Sequence, residues 1–303
     1  TATLERVVII SHQEGRTHRF GLILFLPNSR QPAPVFLLIN NREASNTDPT
    51  RADKSGFWPA EDLIARGYGI AALQNGELAP DDKDHFTEGV IHLFEGDRTE
   101  RSPHAWGALG AWAWGASRVM DYLETDPRVD ASRVAVLGHS RGGKAALWAG
   151  AQDERFAFVI SNESGEGGAA LARRPFGETV KAINDVFPHW FDATYKTYDD
   201  RVKDLPVDQH MLLSLIAPRA LYVASADEDL WSDPRGEFES LAASSPVFEL
   251  YGDPTIAADA MPPLEQPLIV GRRGYHIRRG EHNLTPYDWA RFADFADHLG
   301  WKP

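Results

Sequence analysis

The chain has 303 residues, 43% hydrophobic and 25% charged, which is ordinary globular composition. Its formal charge of −13 argues against a nucleic-acid partner or an anionic membrane surface, both of which need clustered Lys and Arg. The absence of cysteine excludes disulfides and thiolate metal sites, and no apolar run approaches the roughly 20 residues of a membrane span.

In chain order, "RVVIISH" (6–12) and "RFGLILFLP" (19–27) predict two early strands paired as a hairpin at a sheet edge. "APVFLLIN" (33–40) is a short apolar run bounded by Pro and Asn, the pattern of a buried strand. "PAEDLIARG" (59–67) reads as a helix stopped by Gly67, with a strand from Ile70 to Leu73 after it. Residues 76–104 are polar and irregular and predict a long surface loop. "AWGALGAWAWGASRVMDYLETD" (105–126) is apolar almost all round and predicts a helix buried against the sheet.

"RVAVLGHS" (133–140) then predicts a strand, "GGKAALWAGAQ" (142–152) a helix and "FAFVISNES" (156–164) another buried strand. Residues 165–211, rich in Gly, Pro, Trp and His, predict a cap or substrate-binding insertion. "RALYVASA" (219–226) reads as a strand, "DPRGEFESLAAS" (233–244) as a helix and "VFELYG" (247–252) as a strand. "TPYDWARFADFADHLG" (285–300) is the last helix. Strands alternating with helices imply a mostly parallel sheet covered on both faces, and the chain reads as one domain over residues 1–303.

"GHSRG" places Ser140 between Gly138 and Gly142, with a strand before it and a helix after it. That context makes the serine a nucleophile on a sharp turn, its hydroxyl raised above the sheet and the first helical N–H groups aimed at a developing oxyanion. The plainer alternative is a serine N-cap. The α/β-hydrolase order then calls for an acid and a histidine downstream. His282, between the last strand and the last helix, is the expected base; His276 lies inside the "YHIR" run and reads as packed. Two acids compete. Asp229 follows "RALYVAS", with Asp227 and Glu228 as off-by-one alternatives, and Glu163 ends the strand next to the nucleophile.

Together, "GHSRGGK", "ISNESGEGG", "FGETV", "EDLWSDP" and "GEHNLTPYDW" resemble the glucuronoyl esterases, the 4-O-methyl-glucuronoyl methylesterase family of carbohydrate esterases with an α/β-hydrolase fold. The resemblance is close from about Val134 onward and general before it, and its signature G-x-S-R-x-G-K is far more restrictive than G-x-S-x-G. It implies cleavage of the ester between a glucuronic acid branch of xylan and a lignin alcohol, by Ser140 as nucleophile and His282 as base. It implies that Arg141 serves the oxyanion, and that Lys144, Glu178 and Trp231 contact the sugar. Members of the family divide over the acid, and this chain carries both candidates, Glu163 and Asp229. Fungal members have Cys before the serine and several disulfides; His139 stands here, so the resemblance is to bacterial members.

Each binding residue has a plainer alternative: Arg141 as the ion-pair partner of a carboxylate such as Glu163, Lys144 as a solvated helix lysine, Glu178 as a helix cap, Trp231 as core cover. The competing functions are an acetyl-xylan esterase or peptidase of the same fold, or a non-catalytic carbohydrate-binding protein. The triad chemistry requires no metal or organic cofactor. A monomer is expected. The chain begins at Thr1 without methionine, as a secreted or periplasmic bacterial protein with its signal peptide removed would.

Overall fold

The structure, a computed structural model, describes residues 2–98 and 100–302. Strands β1 (Ala2–Gln13), β2 (Arg16–Pro27), β3 (Ala33–Asn40), β4 (Gly69–Gln74), β5 (Val129–His139), β6 (Phe158–Asn162), β7 (Ala220–Ala226), β8 (Leu268–Val270) and β9 (Arg273–Arg278) form one sheet in the order β1-β2-β4-β3-β5-β6-β7-β9-β8. The expected hairpin is the outermost pair, antiparallel and in continuous register from Ala2↔Pro27 to Gln13↔Arg16. From β4 to β9 every neighbouring pair is parallel, and β8 closes the far edge antiparallel.

The helices are α1 (Ala60–Ala65), α2 (Asn75–Leu78), α3 (Val90–Glu95), α4 (Ala108–Leu123), α5 (Arg141–Gln152), α6 (Val180–Val186), α7 (Gln209–Ser214), α8 (Pro234–Ala243), α9 (Ser245–Glu249) and α10 (Pro286–His298). They cover both faces, which is why β3 is buried along its whole length and reads as an unbroken apolar run. Its Val35, Leu37 and Ile39 pack with Trp112 of α4 and Leu147 of α5. Phe36 and Leu38 face the other way, toward Leu63 of α1 and Trp289 and Phe292 of α10. The C-terminal ends of β5, β6, β7 and β9 therefore lie side by side at one rim of the sheet, where α/β folds place their ligands.

Two expectations are corrected. "VFELYG" is not a strand: residues 245–249 form α9 and 250–252 a turn, because Pro246 suits the first turn of a helix and Phe248 alone of residues 247–252 is buried, while Leu250 and Tyr251 are exposed. Residues 76–104 are more than a surface loop. They carry α2 and α3 and send Leu78, Ala79, Val90, Ile91 and Leu93 into the core. Their polar residues cover a short apolar set that fits neither a period of 2 nor one of 3.6 over any useful length.

Candidate active site

Ser140 sits at the junction of β5 and α5 with φ 57° and ψ −126°, a conformation that costs a non-glycine residue about 1–3 kcal/mol. Two features hold it there. Its N–H donates to the Asn162 carbonyl at 2.9 Å, continuing the sheet, while its own carbonyl accepts from Gly143 and Lys144 at 2.9 and 3.2 Å, starting the helix. The turn is tight enough that a Cβ on Gly138 would lie 2.0 Å from the Gly142 carbonyl oxygen, so the first glycine of the motif has no substitute. The elbow predicted from "GHSRG" is present.

His282 lies on the loop between β9 and α10. Its ring centroid is 4.3 Å from that of His139, the residue before the nucleophile, which places it beside the elbow. His139 is buried, bonded to Asn162 Oδ1 at 2.7 Å, and burial drives its pKa well below the ordinary histidine value, so it serves as an uncharged shelf. Both expected acids reach the same nitrogen of His282: Nδ1 is 2.6 Å from Asp229 Oδ2 and 3.3 Å from Glu163 Oε2. Two carboxylates on one nitrogen fix a proton on Nδ1, so in the neutral ring Nε2 is the acceptor. Burial disfavours charge on His282, but its bonds to Asp229 and Glu163 outweigh it and raise its pKa to about 9. Among the described residues, these three side chains are the one cluster with metal-ligand spacing, and the same atoms are engaged in the histidine–carboxylate bonds.

The two acids differ in their other commitments. Asp229 also accepts from the Ser232 N–H at the start of the turn 230–232. Burial pushes Asp229 up, yet the bonds to His282 and Ser232 hold it below the usual carboxylate range. Glu163 is bound elsewhere: Oε1 accepts from Arg278 Nη2 at 2.6 Å and Oε2 from the Asn283 N–H at 2.9 Å. Burial raises its pKa to about 7, against the pull of His282 and Arg278.

Arg278 was not foreseen. Its guanidinium donates to the carbonyls of Arg279, Glu281 and Asn283 and to Asp288 Oδ2, so the loop bearing His282 is wrapped around one buried cation. His276 lies behind it, fully buried, between the Tyr222 hydroxyl at 3.1 Å and Asp288 Oδ1 at 2.8 Å, packed as expected. Asp227 accepts from the Gly280 N–H and braces that loop from outside. Glu237, also unforeseen and fully buried on α8, accepts from the N–H groups of Ser164 and Gly165 and from Ser225 Oγ, tying the ends of β6 and β7 together.

The cations lie on the other wall. Arg141 does not pair with Glu163, the partner considered from sequence. Its Nη1 donates to Asp81, and its guanidinium carbon lies 4.8 and 5.1 Å from the rings of Trp190 and Phe187. The partner lies in the segment read as a surface loop, so no local pattern pointed to it. Lys144 is not a solvated helix lysine: it is 5% exposed, donates to the Ser164 carbonyl at 2.5 Å and stands 3.8 Å from Glu178. Burial lowers its pKa against the pull of Glu178 and Glu166. The Glu178 N–H donates to the Trp231 carbonyl at 2.8 Å, so the "FGETV" and "EDLWSDP" segments adjoin, with Trp231 57% exposed. Trp231 is therefore not core cover, and Glu178 does not cap α6, whose cap is Thr179.

A family profile described as "Glucuronyl esterase, fungi" matches residues 9–252. A carbohydrate esterase from an unknown prokaryotic organism is 45% identical over 249 residues, 82% of this chain and 57% of that protein. The 4-O-methyl-glucuronoyl methylesterase of Hypocrea jecorina is 38% identical over 160 residues, 50% of this chain and 35% of that protein. The aligned chain thus spans about half of these curated relatives or less. Among solved structures, a glucuronoyl esterase from Solibacter usitatus superposes with a TM-score of 0.87 at 42% identity, covering 97% of this chain and 86% of that one.

Proposed function

We propose a reaction for this chain from one premise: it belongs to the glucuronoyl esterase family. The reaction is hydrolysis of the ester between glucuronic or 4-O-methyl-glucuronic acid and an alcohol. His282 Nε2 takes the proton of Ser140 as its oxygen attacks the carbonyl carbon, and the carbonyl electron pair moves to oxygen. The tetrahedral oxyanion accepts from the Arg141 backbone N–H at the head of α5 and from the Arg141 side chain. Collapse expels the alcohol, which leaves with the proton held on His282. Water then repeats the sequence on the acyl-serine and releases the uronate. Asp229 orients His282 and stabilises its charged form, and Glu163 holds the loop and shares that charge.

The observation that carries the reading is a strained serine at a strand–helix elbow beside a histidine whose Nδ1 is bound by carboxylate at 2.6 Å. The uronate preference rests on Arg141 and on the buried Lys144–Glu178 pair, which suits sugar hydroxyls rather than an acetyl methyl group. The natural substrate would be the glucuronoxylan–lignin ester. A polymer of that kind cannot enter a cell, so the site of action would lie outside the cytoplasm; among the described residues no helix is long and apolar enough to cross a membrane. The test compares benzyl glucuronate with acetylated xylan. Turnover of the first alone is expected, and equal rates on both would refute the substrate assignment.

A further inference from the structure

Asp81 has no part in the reaction just described, yet three groups converge on it. One carboxylate oxygen accepts from Arg141 Nη1. The other accepts from His189 Nε2 at 2.9 Å and from Trp190 Nε1 at 2.7 Å. The partners are themselves fixed. Phe187 and Trp190 stack with centroids 3.8 Å apart and planes 2° from parallel, and the guanidinium lies against both rings. The carbonyls of His189 and Trp190 accept from the N–H groups of Ala108 and Leu109, the first turn of α4. Gly107 permits that approach, since a Cβ there would lie 2.4 Å from the Trp190 oxygen.

Asp81 is thus held at both oxygens and meets Arg141 at one edge only. Among the described residues neither Nε nor Nη2 of Arg141 bonds an acceptor; Nε is closed to solvent, and Nη2 is the open edge. Burial opposes charge on Asp81, but His189, Arg141 and Trp190 outweigh it and hold its pKa at about 2.

We propose that Asp81 is a positioning residue for Arg141 and a counter-charge that hastens release of the uronate product. The inference rests on the reading that Arg141 serves the oxyanion. In the tetrahedral intermediate the negative oxygen is fixed by its bond to the acyl carbon on Ser140, so the direction of the donor decides how well it is stabilised. An arginine without a tether would sample many rotamers, whereas one clamped on two rings by a carboxylate is aimed beforehand. The released carboxylate is mobile, and what retains it is net positive charge. Asp81 cancels much of that charge without occupying the free edge of the guanidinium, so the transition state keeps its donor while the product loses its counter-ion.

The test is a double-mutant cycle on the whole chain with benzyl glucuronate as substrate and glucuronate as inhibitor. Arg141→Ala is expected to lower kcat about 100-fold. Asp81→Asn is expected to lower kcat on the order of 10-fold and to tighten inhibition by glucuronate several-fold, and to change neither in the Arg141→Ala background. Asp81→Glu keeps the charge but moves it by a methylene, so it is expected to lose kcat without tightening glucuronate; this separates the two roles should Asp81→Asn fold poorly. An equal loss of kcat from Asp81→Asn in both backgrounds, unchanged inhibition in Asp81→Asn, or native kcat in Asp81→Glu would overturn the proposal while leaving Arg141 its role. Native kcat in Arg141→Ala would overturn that role and the proposal with it.

Discussion

The wall that carries His282 and the wall that carries Arg141 reach the same serine by different means. The first is built from buried ions at strand ends: Glu163 and Asp288 are closed to solvent, Arg278 is 5% exposed, and each bonds to the others or to the loop they hold. The second is built from loop residues and ring faces, with the Arg141 side chain 30% exposed and Asp81 20%. Removing one member of the first wall leaves a charge stranded in the interior, so stability and activity should fall together. Removing Arg141 or Asp81 from the second returns the other partly to water, so activity should fall alone.

The largest effect lies where the walls meet. Ser140→Ala and His282→Ala should each lower kcat by at least about 10⁴-fold, read by turnover; by circular dichroism the first should leave the melting curve unchanged and the second should lower it, because Asp229 and Glu163 lose their shared cation. Residual activity within 100-fold of native for His282→Ala would remove it as the base. Next comes the acid. Asp229→Ala should cost about 10³-fold in kcat with little loss of stability, and Glu163→Ala less in kcat but more in stability; the reverse pattern would exchange their roles. On the ionic wall, Arg278→Ala should destabilise by about 3–5 kcal/mol in a denaturant titration, whereas Arg141→Ala should stay within about 1 kcal/mol of native. Similar losses for both arginines would erase the contrast between the walls.

The smallest effect is a shift in pH dependence. His282 must be neutral to accept the serine proton, so kcat/KM should rise with pH through its ionisation, which the two carboxylates raise to about 9 against the effect of burial. Asp229→Asn removes the closer carboxylate charge, so the inflection should move toward acid. An inflection that stays in place would uncouple Asp229 from the histidine.

The legible part of the site was the part encoded locally. Ser140, Arg141 and Lys144 share one strand–turn–helix, and Glu163 and Asp229 each follow the apolar run of the strand that positions it. Arg278 could have been suspected only as a charge closing the "GYHIR" strand, and nothing in its neighbours says that its bonds go to residues up to 115 positions away. Asp81 was harder still, because it lies 60 residues from Arg141 in a segment with no periodicity. "VFELYG" misled for the opposite reason: its apolar residues suggest a strand, but proline and the preceding helix decide the backbone. The α/β architecture survived that error because one misread element does not alter the alternation of the rest.

The seat of His189 and Trp190 on α4 is made by carbonyl oxygens, which every residue type possesses. Such an anchorage is blind to which side chains occupy positions 189 and 190, while it is intolerant of anything larger than glycine at position 107. Sequence drift can therefore replace the rings and the imidazole that hold Asp81 without shifting the stretch of chain that bears them. The support of the Arg141 guanidinium can thus be rewritten residue by residue on one unchanged backbone course beside the serine.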